Sequence, residues 1–539
     1  ARGPGRAGAH EARAEVAVVG AGIGGLCAGA LLARYGVDVA VVEAHTAAGG
    51  AAHAFQRGGY HFDSGPSFYA GMSSPRGRSL NALKQVLDLL GEPLPCKQYN
   101  GWTMHLPEGK FACSVRGDSY ERELARVGGE EARRQWRRLQ ATLRPLARAS
   151  GALSFAAFRS DLLAPLTLSR GFPGMARAGV FDQGPLRAMQ VLNGPFSALL
   201  EEAGVTDPFL RRLLDLECFV LSGMDARATL APEMAFMFGE RGRPDATLDY
   251  PVGGSGAIVD ALVRGLEKHG GRLLLGRPVE EIVVDKGRAA GLRMRNGDVL
   301  RASKAVVTNA STWDTAALVR DPAARARLAQ GAAEVEKLGS FMHLHLGFDG
   351  SGLDELSIHH LCVEDWAAGI DGEQNVVNIS IPTALDPSLA PEGKHVAHVY
   401  YAANEPFSRW RGMARGSEEY GALKRERSQR LWRGLEKVVP DVRERVEVEM
   451  VGSPLTHQRY LRRAEGTYGP GIVAGRQQWP TARTPVPGLL ACGDSCFPGI
   501  GMPAVAASGF IAANTLVPVW DHLRMLDDMD AMAAPAAAP

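Results

Sequence analysis

Three glycines and one acid carry the first chemical signal in this chain. Residues 16–25 read VAVVGAGIGG, so Gly20, Gly22 and Gly25 stand as G-x-G-x-x-G directly after an apolar, β-branched run. That spacing suits a dinucleotide: one glycine for the tight turn, one for close approach of backbone to a pyrophosphate, one for packing helix on strand. Leu26, Leu31 and Leu32 continue as a helical pattern, whose N-terminus offers free N–H groups and partial positive charge to phosphates. A second apolar run, from Val37 to Val42, ends in Glu43, about twenty residues on, where an acid is placed for a ribose hydroxyl.

A matching signal sits near the other end. GLLACGDS predicts a strand through Leu489 and Leu490 that ends at Gly493 and Asp494, followed by the turn FPGIGM and a helix from Pro503. Asp494 is placed for a ribityl or sugar hydroxyl, and the N–H groups of Gly501 and Met502 for a flavin ring or pyrophosphate. The two signals together make the expected cofactor FAD rather than NAD. Gly253, Gly254 and Gly256 lack a proper preceding strand, so neither a second dinucleotide site nor a nicotinamide domain is expected.

Other reactive residues say less. FMHLHLGF at 341–348 alternates as a strand and sends His343 and His345 to one face, without a third ligand at useful spacing. They read as hydrogen-bonded sheet histidines, and no metal is expected. Glu405 in AANEPF and Glu217 in LLDLECFVL are the acids least at home on a surface. Each is either a buried acid of raised pKa or a hydrogen-bonded structural carboxylate. No catalytic residue is assigned.

The elements that position these groups follow from length and pattern. At 539 residues, 45% hydrophobic and 22% charged, the chain suits a soluble protein of more than one folding unit. A net charge of +1 without a basic tract argues against a nucleic-acid partner. Seven scattered cysteines, odd in number, fit a compartment without enforced disulfides. Arg2 and Arg6 without acids in the first ten residues are compatible with a trimmed organellar transit segment. The uncharged stretch from Cys496 to Trp520 is long enough to span a membrane. Its prolines and glycines instead predict a buried helix over 503–516, and no transmembrane helix is expected.

The N-terminal unit continues with a hairpin around Gly58-Gly59 and a helix bearing Leu83, Val86, Leu87 and Leu90, closed by Gly91. Residues 106–249 read as mostly helical. Trp136, Leu139, Leu143 and Leu146 mark one helix face, flanked by Arg133, Arg134, Arg137, Arg138, Arg144 and Arg148. That helix either lies on an anionic membrane or covers ordinary core with a solvated basic face. The Phe- and Met-rich stretch after it (Phe155, Phe158, Phe172, Met175, Phe181, Met189, Phe196) either meets lipid, lines a long apolar cavity or is plain core. Residues 250–310 return to α/β style, with a turn at Asn296-Gly297.

Taken together, GAGIGGLCAGALLARYG, VVEAHTAAGGAAHAF, GYHFDSGPS, YPVGGSGAIVDALVRGLEKHGGRL, FMHLHLGFD, LRRAEGTYGP and CGDSCFPGIGMPAVAASG resemble the FAD-containing carotenoid (prolycopene) isomerase family, relatives of the phytoene desaturases. The likeness runs over roughly residues 15–520. Desaturases usually place an arginine after the paired glycines, where this sequence has Ala51. The resemblance implies that Gly20, Gly22 and Gly25 bracket the FAD pyrophosphate and Glu43 holds the adenosine ribose. It further implies that Val279 contacts adenine through its backbone, and that Gly49, Gly50 and Ala51 pass the flavin end. Asp494 would hold the ribityl or pyrophosphate region, with Gly501 and Met502 beneath the isoalloxazine.

The expected fold class is α/β: a discontinuous FAD-binding domain of Rossmann type, amine oxidase/phytoene desaturase-like, a mixed α+β substrate domain and a helical membrane-associating region. Its FAD-binding parts are residues 15–105, 250–320 and 480–520. Residues 106–249 form the helical substrate and membrane-associating part and 321–479 the substrate domain. Residues 1–14 are a disordered or transit remnant and 521–539 a C-terminal tail. The implied activity is isomerisation of poly-cis lycopene to all-trans-lycopene with reduced FAD and no net redox change. The implied setting is a plastid membrane, contacted peripherally, with an apolar carotenoid as substrate. The alternatives are a carotene desaturase passing electrons to a quinone, and a non-catalytic carotenoid-binding FAD protein; an amine oxidase fits less well.

Overall fold

The β-branched runs become the centre of a sheet because both of its faces are covered. The structure is a computed structural model that describes residues 10–534 apart from 116, 180–189, 244–245, 354 and 477–478. In it every residue from Val16 to Val19 and from Val39 to Val42 is buried, as a parallel sheet between helical layers requires. The sheet has seven strands. Arg272–Leu274, Val39–Val42, Glu11–Val19 and Val299–Thr308 lie side by side in that order, all parallel. Leu489–Ala491 joins Val299–Thr308, also parallel. Arg288–Met294 and Val279–Asp285 extend the sheet antiparallel, and the Asn296-Gly297 turn falls where expected, before Val299–Thr308. Three distant stretches of chain therefore meet in one sheet. Its first strand starts at Glu11, inside the stretch expected to be disordered.

The helix Ile23–Arg34 follows the glycine turn and packs closely on Met502–Leu516. A Cβ at Gly509 would come 2.8 Å from the Cys27 Cβ and from the Gly24 carbonyl oxygen, so small residues set that approach. The buried helix expected over 503–516 is thus present. Among the described residues no helix is long and apolar enough to cross a membrane. The expected C-terminal tail instead carries the helix Val519–Ala533, which buries Met525, Leu526 and Met529. Local punctuation is as read: Ala54–Arg57 pairs with Tyr60–Asp63, and Gly91 closes the helix Ala82–Leu90 in a left-handed conformation, φ 67°.

A second seven-stranded sheet stands apart from the first. Its order is Val446–Gly452, Ser340–Asp349, Lys394–Glu405, Val376–Ser380, His359–Val363, Gly101–Leu106, Gly109–Ser114. Residues 106–114 therefore end one strand, turn and form the next rather than a helix, and the helical region begins only at Ser119. Met342, Leu344, Leu346 and Phe348 join Leu431, Trp432 and Leu435 of the helix Glu418–Glu436 in one core. By strand alternation His343 and His345 take the opposite face.

For the arginine-rich helix the structure decides between the two alternatives, and for the glycines at 253–256 it corrects a reading. The helix Ser119–Ala152 buries Trp136, Leu139, Leu143 and Leu146 in the protein core, so its apolar face is not offered to a membrane. Arg133, Arg134 and Arg137 pair with Glu130, Glu131 and Glu121, as a solvated basic face does. The glycines at 253–256 do follow a strand, Leu248–Pro251, but it lies antiparallel in a separate small sheet. The N-terminus of the helix Gly254–Lys268 is already filled by the Asp63 carboxylate, which accepts from the Ser255 N–H at 2.8 Å and the Tyr250 hydroxyl at 2.7 Å. No room for a phosphate remains there.

Candidate functional site

One cavity of about 1290 Å³ runs between the two sheets and the helical region. Sites for one small ligand span about 300–1,000 Å³, so this space accommodates more than one such occupant. Gly20, Gly22, Glu43, Gly49, Gly50, Ala51, Val279, Asp494, Gly501 and Met502 all line it. Gly25 lies just beneath, in the first turn of the helix Ile23–Arg34.

The backbone at one end forms a cradle that side chains would fill. Gly20 has φ 90°. A Cβ at Gly25 would press on the Gly20 carbonyl oxygen, and one at Gly22 would come 2.7 Å from the Asn309 amide nitrogen. Gly49 and Gly50 cross this turn with φ 114° and 56°. Gly22 caps the helix without a side-chain hydrogen bond, leaving the N–H groups of its first turn to the cavity. Glu43 accepts from the Ala21 N–H at 2.8 Å and the His45 N–H at 2.7 Å, which fixes its carboxylate at the cavity wall. Such a cradle, with an uncapped helix N-terminus and an acid at the next strand end, fits a dinucleotide.

Asn309 was not legible in the sequence. It follows the strand Val299–Thr308, lines the cavity and packs under Gly22, Gly24 and Gly493 at once. Opposite the first cradle, the helix Met502–Leu516 begins at Gly501 with φ 105° and again no side-chain cap. Asp494 lies beside it and accepts from Arg463 Nη2 at 2.6 Å. Two uncapped helix N-termini thus open on the same space.

Away from these turns much of the wall is hydrocarbon, with Glu217, Glu233, Arg241 and His343 among its polar residues. Phe155, Phe158, Met175, Phe219, Phe236 and Met237 line it. Of the other residues in the expected Phe- and Met-rich stretch, Phe196 is core and Phe172 is 54% exposed. Phe181 and Met189 lie outside the described residues.

The two suspected acids are both held by arginine. Glu405 is fully buried and takes Arg427 Nη2 at 2.9 Å and the Trp410 indole N–H at 2.8 Å; it does not reach the cavity. Glu217 does line the cavity, but Arg241 grips both its oxygens at 3.0 and 3.1 Å. Arg241 in turn lies 4.6 Å over the Trp102 ring. Both carboxylates are therefore structural rather than free acids.

Glu233 is the acid the sequence did not single out. It stands in the first turn of the helix Ala231–Arg241, lines the cavity, and has no hydrogen-bond or ion-pair partner among the described residues. Burial pushes its carboxyl up to about 8. A Pro-Glu pair at a helix start looks like an ordinary dipole-stabilising acid, so the sequence held no signal for it.

The histidines form a stack on the cavity side of the second sheet. His343 Nδ1 is 2.9 Å from His398 Nε2, and His345 stacks on His398 at 4.3 Å. His345 also donates to the Asp63 carbonyl at 3.2 Å. Burial holds His345 down at about 4 and His457 at about 3, so the imidazoles are neutral at pH 7. They are hydrogen-bonded sheet histidines as expected, and no metal-binding group occurs among the described residues.

Comparison with known proteins bears on this site. The family model for flavin containing amine oxidoreductases matches residues 23–517. The chain is 31% identical to a chloroplastic prolycopene isomerase of Arabidopsis thaliana, over 93% of this chain and 82% of that one. It is 28% identical to a zeta-carotene-forming phytoene desaturase of Myxococcus xanthus, over 71% of each. Among solved structures, an oxidoreductase from Methanosarcina mazei shares the fold with a TM-score of 0.59 at 18% identity, over 92% of this chain and 98% of that one.

Proposed function

The chain belongs to the flavin containing amine oxidoreductase family, with FAD as its cofactor, and from that premise we propose that it is a carotenoid cis–trans isomerase. The reading is conversion of poly-cis lycopene to all-trans-lycopene with FAD reduced and no net redox change. One observation carries it: the glycine cradle and the hydrocarbon wall belong to a single cavity, in a chain similar to prolycopene isomerases along most of its length.

The roles divide along that cavity. The N–H groups behind Gly20, Gly22 and Gly25 hold the pyrophosphate, Glu43 the ribose, and the Val279 backbone the adenine. Gly49, Gly50, Ala51, Asp494, Gly501 and Met502 enclose the flavin end. Reduced flavin, when bound, supplies electron density that weakens double-bond character in an adjacent polyene. The chain's own contribution is to exclude water and hold a substrate without polar handles. Phe155, Phe158, Met175, Phe236 and Met237 do so by shape and buried apolar area, worth about 25 cal/mol per Å².

The test uses purified holoprotein and poly-cis lycopene in anaerobic vesicles. All-trans product with reduced FAD, and none with oxidised FAD, is expected. New double bonds with oxidised FAD and a quinone would replace the reading by the desaturase one, which the Myxococcus relative motivates. Retained pigment without product would leave a carotenoid-binding protein.

Lipid contact belongs to another part of the molecule than the arginine-rich helix. Between the cavity-lining Phe158 and Met175, the chain exposes Leu162 at 98%, with Leu163, Leu166 and Phe172. Trp520, 69% exposed, is on the helix Val519–Ala533, which packs against Ala164–Leu168. An apolar group of this kind marks an interaction surface, and a lipid-soluble substrate makes a bilayer its partner. The plastid setting is proposed from the chloroplastic relatives. The triple variant Leu162→Asp, Leu166→Asp, Phe172→Asp should abolish cosedimentation with vesicles while keeping FAD. Unchanged cosedimentation would remove the patch from this role.

A further inference from the structure

Glu233 does no structural work that the geometry reveals. The other carboxylates at the cavity wall are all partnered: Glu217 has Arg241, Asp494 has Arg463, Glu240 has Arg243, and Glu43 has two backbone N–H groups. Asp314 is held by the Ser311 hydroxyl and the Ala464 N–H. Glu233 stands alone among the described residues, with the main cavity on one side. On its other side is a narrow recess walled by Leu221, Ile472 and Ile500, with Ser222, Thr229 and Trp479 also at its wall. Ile500 directly precedes Gly501 and Met502, so this carboxyl lies beside the turn assigned to the flavin end.

The groups that could disturb its proton are few. The Tyr468 phenol is close by; burial pushes it up, and its hydroxyl donates to the Leu221 carbonyl at 3.3 Å. Glu217 of the neighbouring helix pairs with Arg241 at the end of Glu233's own helix, Glu240 of that helix pairs with Arg243 just past its end, and Arg463 pairs with Asp494, so all three are neutralised pairs. His343 and His457 are uncharged. Glu233 is half-buried, and desolvation with no charged neighbour pushes its carboxyl up to about 8.

We propose, resting on the isomerase reading above, that Glu233 is a catalytic acid that lends its proton to the polyene and takes it back. The Glu233 O–H bond breaks as a C–H bond forms at one end of a cis double bond, whose π pair becomes the new C–H pair. The adjoining carbon is left cationic, with its charge shared along the conjugated chain and opposed by the nearby carboxylate. The former double bond, now single, rotates. The carboxylate then removes the proton, and the C–H pair returns as a trans double bond. Atoms and electrons balance, and no oxidant or reductant is consumed.

The experiment compares wild type, Glu233→Gln and Glu233→Asp as holoproteins with reduced FAD and poly-cis lycopene in vesicles. Glu233→Gln should lower kcat by about 100-fold or more, with FAD content and KM unchanged, and Glu233→Asp should restore part of it. Wild-type kcat should fall as pH rises through about 8, whereas the residual activity of Glu233→Gln should be flat there. An infrared carboxylic-acid band should be present in wild type at neutral pH, fade above about 8, and be absent from Glu233→Gln. Full kcat in a flavin-loaded Glu233→Gln protein would overturn the proposal. So would a wild-type protein without that band, a measurement that needs no variant to fold. If wild type isomerises nothing, the functional reading fails and takes this role with it. An active wild type beside an equally active Glu233→Gln removes only the acid.

Discussion

Gly25→Val is expected to yield protein that folds but purifies without its yellow colour. The new Cβ would lie within 3.0 Å of the Gly20 carbonyl oxygen and 3.2 Å from the Asn309 Cβ. Neither neighbour is the free end of a flexible side chain, so the turn and the helix must move apart. Overpacking of this kind costs about 1–3 kcal/mol, which in binding terms weakens FAD about five- to 150-fold. The measurement is flavin absorbance per mole of protein, with far-ultraviolet circular dichroism as the check on folding. Gly331→Ala is the control, because a Cβ there meets nothing within 4 Å. Stoichiometric flavin in Gly25→Val would show that the cradle is not where FAD is held.

Arg427→Leu is expected to be the most destabilising change away from the cavity. It strips the fully buried Glu405 of its counter-charge and leaves only the Trp410 indole and the Gln374 amide on that carboxylate. Removing one partner of a buried pair costs about 3–5 kcal/mol, because the remaining charge is uncompensated. The urea midpoint should fall accordingly, and Glu405→Leu combined with Arg427→Leu should recover much of the loss. Flavin per folded molecule should not change, since Glu405 does not reach the cavity. A wild-type midpoint in Arg427→Leu would show that the pair contributes nothing.

What was legible in the sequence, and what was not, divides by the range of the forces involved. Gly20, Gly22 and Gly25 were readable because a tight turn and a close helix approach constrain residue type locally. The buried face of Trp136, Leu139, Leu143 and Leu146 was readable as a period, but a period does not say what covers it. The core covers it, and the membrane alternative fell on that point. For Glu217 and Glu405 the choice between a free acid and a structural carboxylate stayed open in the sequence, because Arg241 and Arg427 lie on other elements, a distance along the chain that no local pattern registers. Glu233 failed in the opposite direction. Its isolation arises from walls contributed by residues 221–230, 470–472 and 500, and a missing partner leaves no mark on sequence. The strand Leu248–Pro251 was overlooked because it is short, proline-ended and paired only with the short strands Tyr69–Ala70 and Cys96–Tyr99.

The sheet built from three separated stretches also sets a timetable. Glu11–Val19 emerges first from a ribosome, yet Val299–Thr308 and Leu489–Ala491 are made much later. Pairings of such large sequence separation form slowly, and their edges stay exposed until the last piece arrives. If the helix after the final strand encloses the flavin end as proposed, capture of the cofactor is a closing event of biogenesis, completed only when that helix has left the translation machinery.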